Sequence, residues 1–224
     1  MTISDTIYQL ITGQTIFKAL SGIVFPKAVN NGIKVDSVNP TFGWEDLKGV
    51  RIVDVTGTNA PVITAYKTGS LELGYNASDI QTWEFHLGHM EVLGGNKYIH
   101  AHVKHNGTSI TGNLVLTCTI CHNYGNNRTG SPAPLVKTIT IASASLPQYE
   151  TNITDLLFAQ EGGGSGLLDS SLMYPDDEIV ITMTVTTLPT ISGGTSNRIF
   201  ISHCDIHREI TGIGTKTKNY PFYS

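Results

Sequence analysis

Eight histidines occur in the 224-residue chain, none before His86, and five of the eight fall between His86 and His105. Imidazole is the side chain most used for metal ligation and for titration near neutral pH, so the cluster is the chain's main source of chemistry. The segment Tyr98-Ile-His-Ala-His-Val-Lys-His-Asn106 reads as a strand. Side chains alternate across a strand, so His100 and His102 share a face with Tyr98 and Lys104, while Ile99, Ala101 and Val103 take the other. Two imidazoles so placed stand roughly 7 Å apart at Cα, a spacing that permits chelation of one ion. In a later apolar stretch, Arg198-Ile-Phe-Ile-Ser-His-Cys-Asp-Ile-His207, alternation puts His203, Asp205 and His207 on a face with Ile199 and Ile201. His207 could supply a third ligand, making His100, His102 and His207 the candidate metal set. The same residues could instead line a threefold axis with one shared ion, or form a polar network at an interface or surface.

Other chemistry is thinner. Gly94 followed by His100-Ala-His102 matches the opening of a cupin motif, but Asn106 and Gly107 stand where that motif needs Glu, and no Pro-x-Gly with a further His follows. A cupin-like metalloenzyme is therefore an alternative with an incomplete ligand set. Cys118-Thr-Ile-Cys121 has CxxC spacing, yet in an alternating strand its thiols face opposite sides. With Cys204 the chain has three cysteines, too few and oddly numbered for a disulfide framework, so buried structural thiols are expected. The glycines from Gly162 to Gly166 lack the Lys-Ser/Thr of a phosphate loop, there is no Gly-x-Ser-x-Gly elbow, and Asp176-Asp177-Glu178 reads as a solvated corner.

Charged residues make up 14% of the chain and the formal charge is -4. With no Lys/Arg block, neither nucleic acid nor an anionic membrane is an expected partner. The N-terminus lacks the basic and apolar regions of a secretory signal, which suggests a soluble chain made in a cytoplasm.

Residues 1–40 differ from the rest. Ile3, Ile7, Leu10 and Ile11 have helical spacing, and Phe17 and Phe25 follow in a broken apolar stretch before Asn31-Gly32. An anchoring arm is expected there, docking through Ile3, Ile7, Leu10, Ile11, Phe17 and Phe25; a strand closing the main sheet is the alternative. Residues 41–224 alternate strand with turn. Trp83, Phe85 and Leu87 point one way, as do Leu114 to Ile120 at even positions and Ile179, Ile181, Met183 and Val185. Thr151 to Phe158 is expected to form a short helical turn. Many short strands without crossover helices indicate an all-β antiparallel sandwich or jelly roll.

Four blocks carry a resemblance beyond composition: Trp44-Glu-Asp-Leu-Lys-Gly49, the segment from Tyr98 through Asn106 to Leu114, Leu188-Pro-Thr-Ile-Ser-Gly-Gly194, and Thr211-Gly-Ile-Gly-Thr-Lys-Thr-Lys-Asn-Tyr-Pro-Phe-Tyr223. In this order they resemble a family of virion structural proteins of tailed bacteriophages. The resemblance implies a jelly-roll β-sandwich, a homotrimer, and a place in the virion after assembly in the bacterial cytoplasm. The implied role is non-enzymatic: a capsid decoration or cement protein bound to the major capsid protein, or a fibre or tail accessory near other tail or portal proteins. It transfers no catalytic residue and no cofactor. A fibre role would add a host surface glycan as partner, for which Trp44, Tyr124 and Tyr149 are the aromatic candidates.

Overall fold

The structure is a computed structural model in which residues 43–52 and 59–210 are described. The N-terminal arm, with its six docking candidates, and the block from Thr211 to Tyr223 lie outside the described residues. The strands are β1 (Gly43–Lys48), β2 (Val50–Ile52), β3 (Val62–Lys67), β4 (Ser70–Tyr75), β5 (Ile80–His86), β6 (Lys97–His105), β7 (Ser109–Thr111), β8 (Asn113–Asn123) and β9 (Leu135–Ala142). They continue as β10 (Asn152–Ile153), β11 (Leu156–Gln160), β12 (Leu168–Asp169), β13 (Glu178–Thr187), β14 (Thr190–Ser192) and β15 (Ile199–Ile210). Two short 3-10 turns, Ser143–Ser145 and Ser170–Leu172, interrupt them.

Two sheets carry the fold. One runs β12-β11-β6-β15-β4-β3, with β1 added on β15 and β10 on β6; the other runs β2-β5-β13-β8-β9. Taking the strands β4, β5, β6, β8, β9, β11, β13 and β15 in chain order, the first lies beside the last, the last beside the third, and the third beside the sixth. In the second sheet the second neighbours the seventh, the seventh the fourth, and the fourth the fifth. That order is the double Greek key of a jelly roll. The fold is thus an all-β antiparallel sandwich, as the strand rhythm indicates. The small ribbon of β7 and β14 stands apart from both sheets, with Ile110 and Ile191 packed against the core.

Alternation explains the core. β8 and β13 are buried at every second residue, so Leu114, Leu116, Cys118 and Ile120 meet Ile179, Ile181, Met183 and Val185. Trp83 and Phe85 of β5 join them, and Ile99, Ala101 and Val103 of β6 close the space from the other sheet. Each fully buried aliphatic side chain contributes roughly 1.5–3 kcal/mol by removal from water. Thr151 to Phe158 is not a helical turn: Asn152 and Ile153 pair with Val103 and His102, and Leu156 and Leu157 with Ile99 and Tyr98. Pairing with β6 satisfies this backbone and overrides a weak local helical pattern.

The expected solvated corner at Asp176-Asp177-Glu178 also differs in the structure. Asp177 is fully buried and accepts from His122 Nε2 at 2.8 Å, Gly125 N at 2.7 Å, Tyr174 N at 2.9 Å, and the Arg128 guanidinium. Arg128 in turn lies between the rings of Tyr124 and Tyr174. Gly125 is required here, since a Cβ would fall 2.2 Å from the carbonyl oxygen of Asp176. Burial alone would push the Asp177 carboxyl up, but the His122, Arg128, Gly125 and Tyr174 donors outweigh it and hold the group below the ordinary aspartate range. A depressed carboxyl stabilises the fold above its unfolded value, and that contribution is lost as pH falls through the folded value. Asp177→Ala, which strands these donors, should cost about 3–5 kcal/mol in urea unfolding at pH 7. Asp177→Asn should also be less stable than the parent at pH 7, with the gap narrowing by about pH 3; an unchanged gap would contradict the assigned ionisation.

Candidate functional site

The histidine face is built on the outer surface of the first sheet, where β6 lies between β15 and β10 and β1 pairs along the far side of β15. From β6 come Tyr98, His100, His102 and Lys104; from β15, His203, Asp205 and His207; from β1, Trp44 and Asp46. Asp155 reaches in from the connection between β10 and β11. The expectation that His203, Asp205 and His207 share a face with Ile199 and Ile201 is corrected by a β-bulge between Ile201 and His203. Ser202 is the extra residue. Ile199 and Ile201 point into the core before it, Cys204 and Ile206 after it, so the histidines turn outward. Arg51 holds the bulge, donating to the carbonyl oxygens of Ile201 at 3.1 Å and Ser202 at 2.6 Å.

The structure brings two of the three candidate ligands together. His207 Nδ1 lies 2.7 Å from Asp46 Oδ1, and His100 Nδ1 lies 3.6 Å from the same oxygen. The His100 and His207 rings stack with centroids 4.6 Å apart, and the indole of Trp44 stacks on the other side of His207 at 4.8 Å. Asp155 Oδ1 sits 3.2 Å from His100 Nε2. His102 is placed elsewhere: its Nε2 lies 2.7 Å from Asp205 Oδ2, and its ring meets that of His203 at 4.6 Å. Asp46 completes the trio instead of His102. It was missed because it stands on a distant strand, although Trp44-x-Asp46 alternation already placed it on one face with the indole.

The remaining histidines serve local structure. His105 is buried, with Nε2 on the Leu146 carbonyl oxygen at 2.7 Å and Nδ1 accepting from Gly107 N. His86 and His89 face Asp176 at 3.7 and 3.8 Å. The other aromatic candidates are also spread out: Tyr124 belongs to the Arg128 stack, and Tyr149 packs edge-on against Tyr66. A shallow cleft of about 390 Å³ opens beside His203, lined also by Lys48, Gly49, Arg51, Trp83 and Ser202. Ser202 gives its hydroxyl hydrogen to the His102 carbonyl oxygen at 3.3 Å.

No family model matches the sequence, and a search of curated proteins finds no match. Among solved structures, the chain is similar to a family 11 carbohydrate-binding module from Clostridium thermocellum in complex with a β-1,3-1,4-mixed-linked tetrasaccharide. That match has 17% identity and a TM-score of 0.32, covering 76% of this chain and 96% of the module. The family 11 module of the cellulosomal cellulase Lic26A-Cel5E of the same organism gives 16% identity and a TM-score of 0.30, covering 82% and 96%. The jelly-roll assignment rests on the strand order itself.

The cysteines lie as their spacing requires, Cys118 inward and Cys121 on the outer face of the second sheet. Burial pushes the Cys118 thiol up to about 12 and raises that of Cys204 as well, the latter also through Cys118 and Asp205. Titration of the native protein with a disulfide reagent at pH 8 should therefore modify Cys121 alone, with Cys118 and Cys204 reacting only after unfolding. Rapid native modification of all three would contradict this packing.

Proposed function

We propose that the chain is a non-catalytic binding module of a virion, of fibre or tail accessory type, that takes a neutral glycan on the histidine face. The observation that supports this is the exposed Trp44, 47% accessible, stacked on His207, which with His100 lies against Asp46, while His100 also meets Asp155. An indole offers an electron-rich face to the C–H side of a pyranose, while carboxylates and imidazoles exchange hydrogen bonds with its hydroxyls. Two carboxylates in the patch and a net charge of -4 disfavour acidic sugars. Glycan-array screening followed by calorimetry is the test. Binding of an uncharged oligosaccharide should weaken at least about tenfold in Trp44→Ala, equivalent to about 1.4 kcal/mol. Absence of any glycan binding, or binding indifferent to Trp44, sinks the reading.

A second reading, the trimeric capsid decoration protein, is supported by the open edge of the first sheet. β3 pairs only with β4 among the described residues, and Val62, Ile63 and Leu71 on this hairpin are exposed. An apolar edge strand is an aggregation hazard unless another copy covers it. In this reading three copies close through the edge, and residues 1–40 dock on the major capsid protein. Ile63→Lys with Leu71→Glu should then convert a trimer to monomer in sedimentation velocity, and deletion of residues 1–35 should leave the trimer but abolish incorporation into particles. Full incorporation of the truncated protein would exclude the anchoring role.

A further inference from the structure

We infer that Asp46, His100 and His207 bind a divalent transition cation, zinc or a chemical equivalent, with Asp155 as the positioning residue for His100. The inference rests on the geometry of this cluster and is independent of the glycan reading. One ligand atom from each of the three residues lies within 4.8 Å of the others. Around a tetrahedral zinc with bonds near 2.0–2.2 Å, neighbouring ligand atoms stand about 3.3 Å apart. The observed separations from Asp46 Oδ1, 2.7 Å to His207 Nδ1 and 3.6 Å to His100 Nδ1, bracket that value.

The hydrogen-bond pattern is compatible with the same ion, since His100 has a carboxylate at each ring nitrogen. When His100 donates Nε2–H to Asp155, the other nitrogen of the neutral ring carries a lone pair. That nitrogen faces Asp46 Oδ1, which is itself an acceptor and already lies against His207. A cation placed between them is shared by this nitrogen, Asp46 Oδ1 and His207 Nδ1. A carboxylate on the far nitrogen is also the arrangement that orients a metal-bound imidazole and raises its basicity. Two imidazole nitrogens and one carboxylate suit zinc, cobalt or nickel better than calcium or magnesium, which take oxygen ligands. The half-exposed Asp46 leaves the remaining coordination positions open to water or a ligand.

Calorimetric titration of the full chain with zinc chloride, in excess magnesium, tests the site. The expected result is one zinc per chain at micromolar or tighter affinity. His100→Ala and His207→Ala should each weaken it at least about 100-fold, and Asp155→Asn about 10- to 100-fold. The paired substitution His86→Ala with His89→Ala removes a separate, more exposed histidine pair and should leave binding unchanged. Cobalt added to the unaltered protein should give visible ligand-field bands and quench Trp44 fluorescence, a readout that needs no variant to fold. No zinc uptake, uptake that survives loss of His100 and His207, loss of uptake in the His86/His89 variant, or cobalt without ligand-field bands would each overturn the assignment. Glycan binding measured in a chelator separates this outcome from that of the carbohydrate reading.

Discussion

The arrangement of the chain's polar chemistry turns on one inserted residue, Ser202. A strand with a strict period of two would send His203, Asp205 and His207 to the same side as Ile199 and Ile201. Either the core would then hold two imidazoles and a carboxylate while Cys204 and Ile206 faced solvent, or Ile199 and Ile201 would face solvent instead. Desolvating such groups without partners costs several kcal/mol, so the bulge resolves a conflict that the sequence of β15 contains. Arg51 makes the solution specific, since its guanidinium donates to the carbonyl oxygens that the bulge releases from the ladder. The outer surface of β15 accordingly changes character along its length, from Phe200 packed on Tyr66 to the stack of His207 with Trp44.

Beyond the bulge the same phase carries Arg208 inward, opposite Lys97 of β6. Two cations side by side between the sheets are tolerable because Glu91, fully buried, contacts both. Arg208 also reaches Glu45 at 3.1 Å, its own register partner on β1. That contact fixes which face of β1 looks outward. With Glu45 turned to Arg208, alternation places Trp44 and Asp46 over the imidazoles. The buried ion cluster therefore positions the exposed one, and the two are linked through a single strand added at the edge of β15.

Much of this frame was legible in the sequence. The alternation of β6, β8 and β13 separates core from surface residue by residue, and it correctly puts Cys118 and Cys121 on opposite faces. What could not be read was wherever long-range pairing decides. Nothing in Phe200-Ile-Ser-His203 announces an extra residue, because a bulge shows only against its partner strand. Leu156 and Leu157 look helical in isolation and become strand because β6 offers a ladder. Asp177 reads as surface beside Asp176 and Glu178, yet a glycine, an arginine and a histidine distant in sequence converge to bury it. The metal-type trio was half visible for the same reason: His100 lies on a strand that alternation describes well, His207 reaches the outer face only past the β15 bulge, and Asp46 joins them only through pairing of β1.

The two ways of using the histidine face make opposite electrostatic demands. If the face lay on a threefold axis, Asp46 and Asp155 from every copy would converge in a desolvated space. Their side chains are now 50% and 69% exposed, and water screens their charges. Removing that water brings like carboxylates together in low dielectric, which is repulsive unless cations neutralise them. Assembly through this face would therefore be coupled to ion uptake. Assembly through the β3 edge would bring no carboxylates together, because the exposed Val62, Ile63 and Leu71 are apolar and the charge on β3 is the single cation Lys67, and it would leave Trp44 and the carboxylates of the histidine face open to solvent. The largely apolar edge and the charged face thus differ in what their burial would cost, and the second needs its carboxylates neutralised before water can leave.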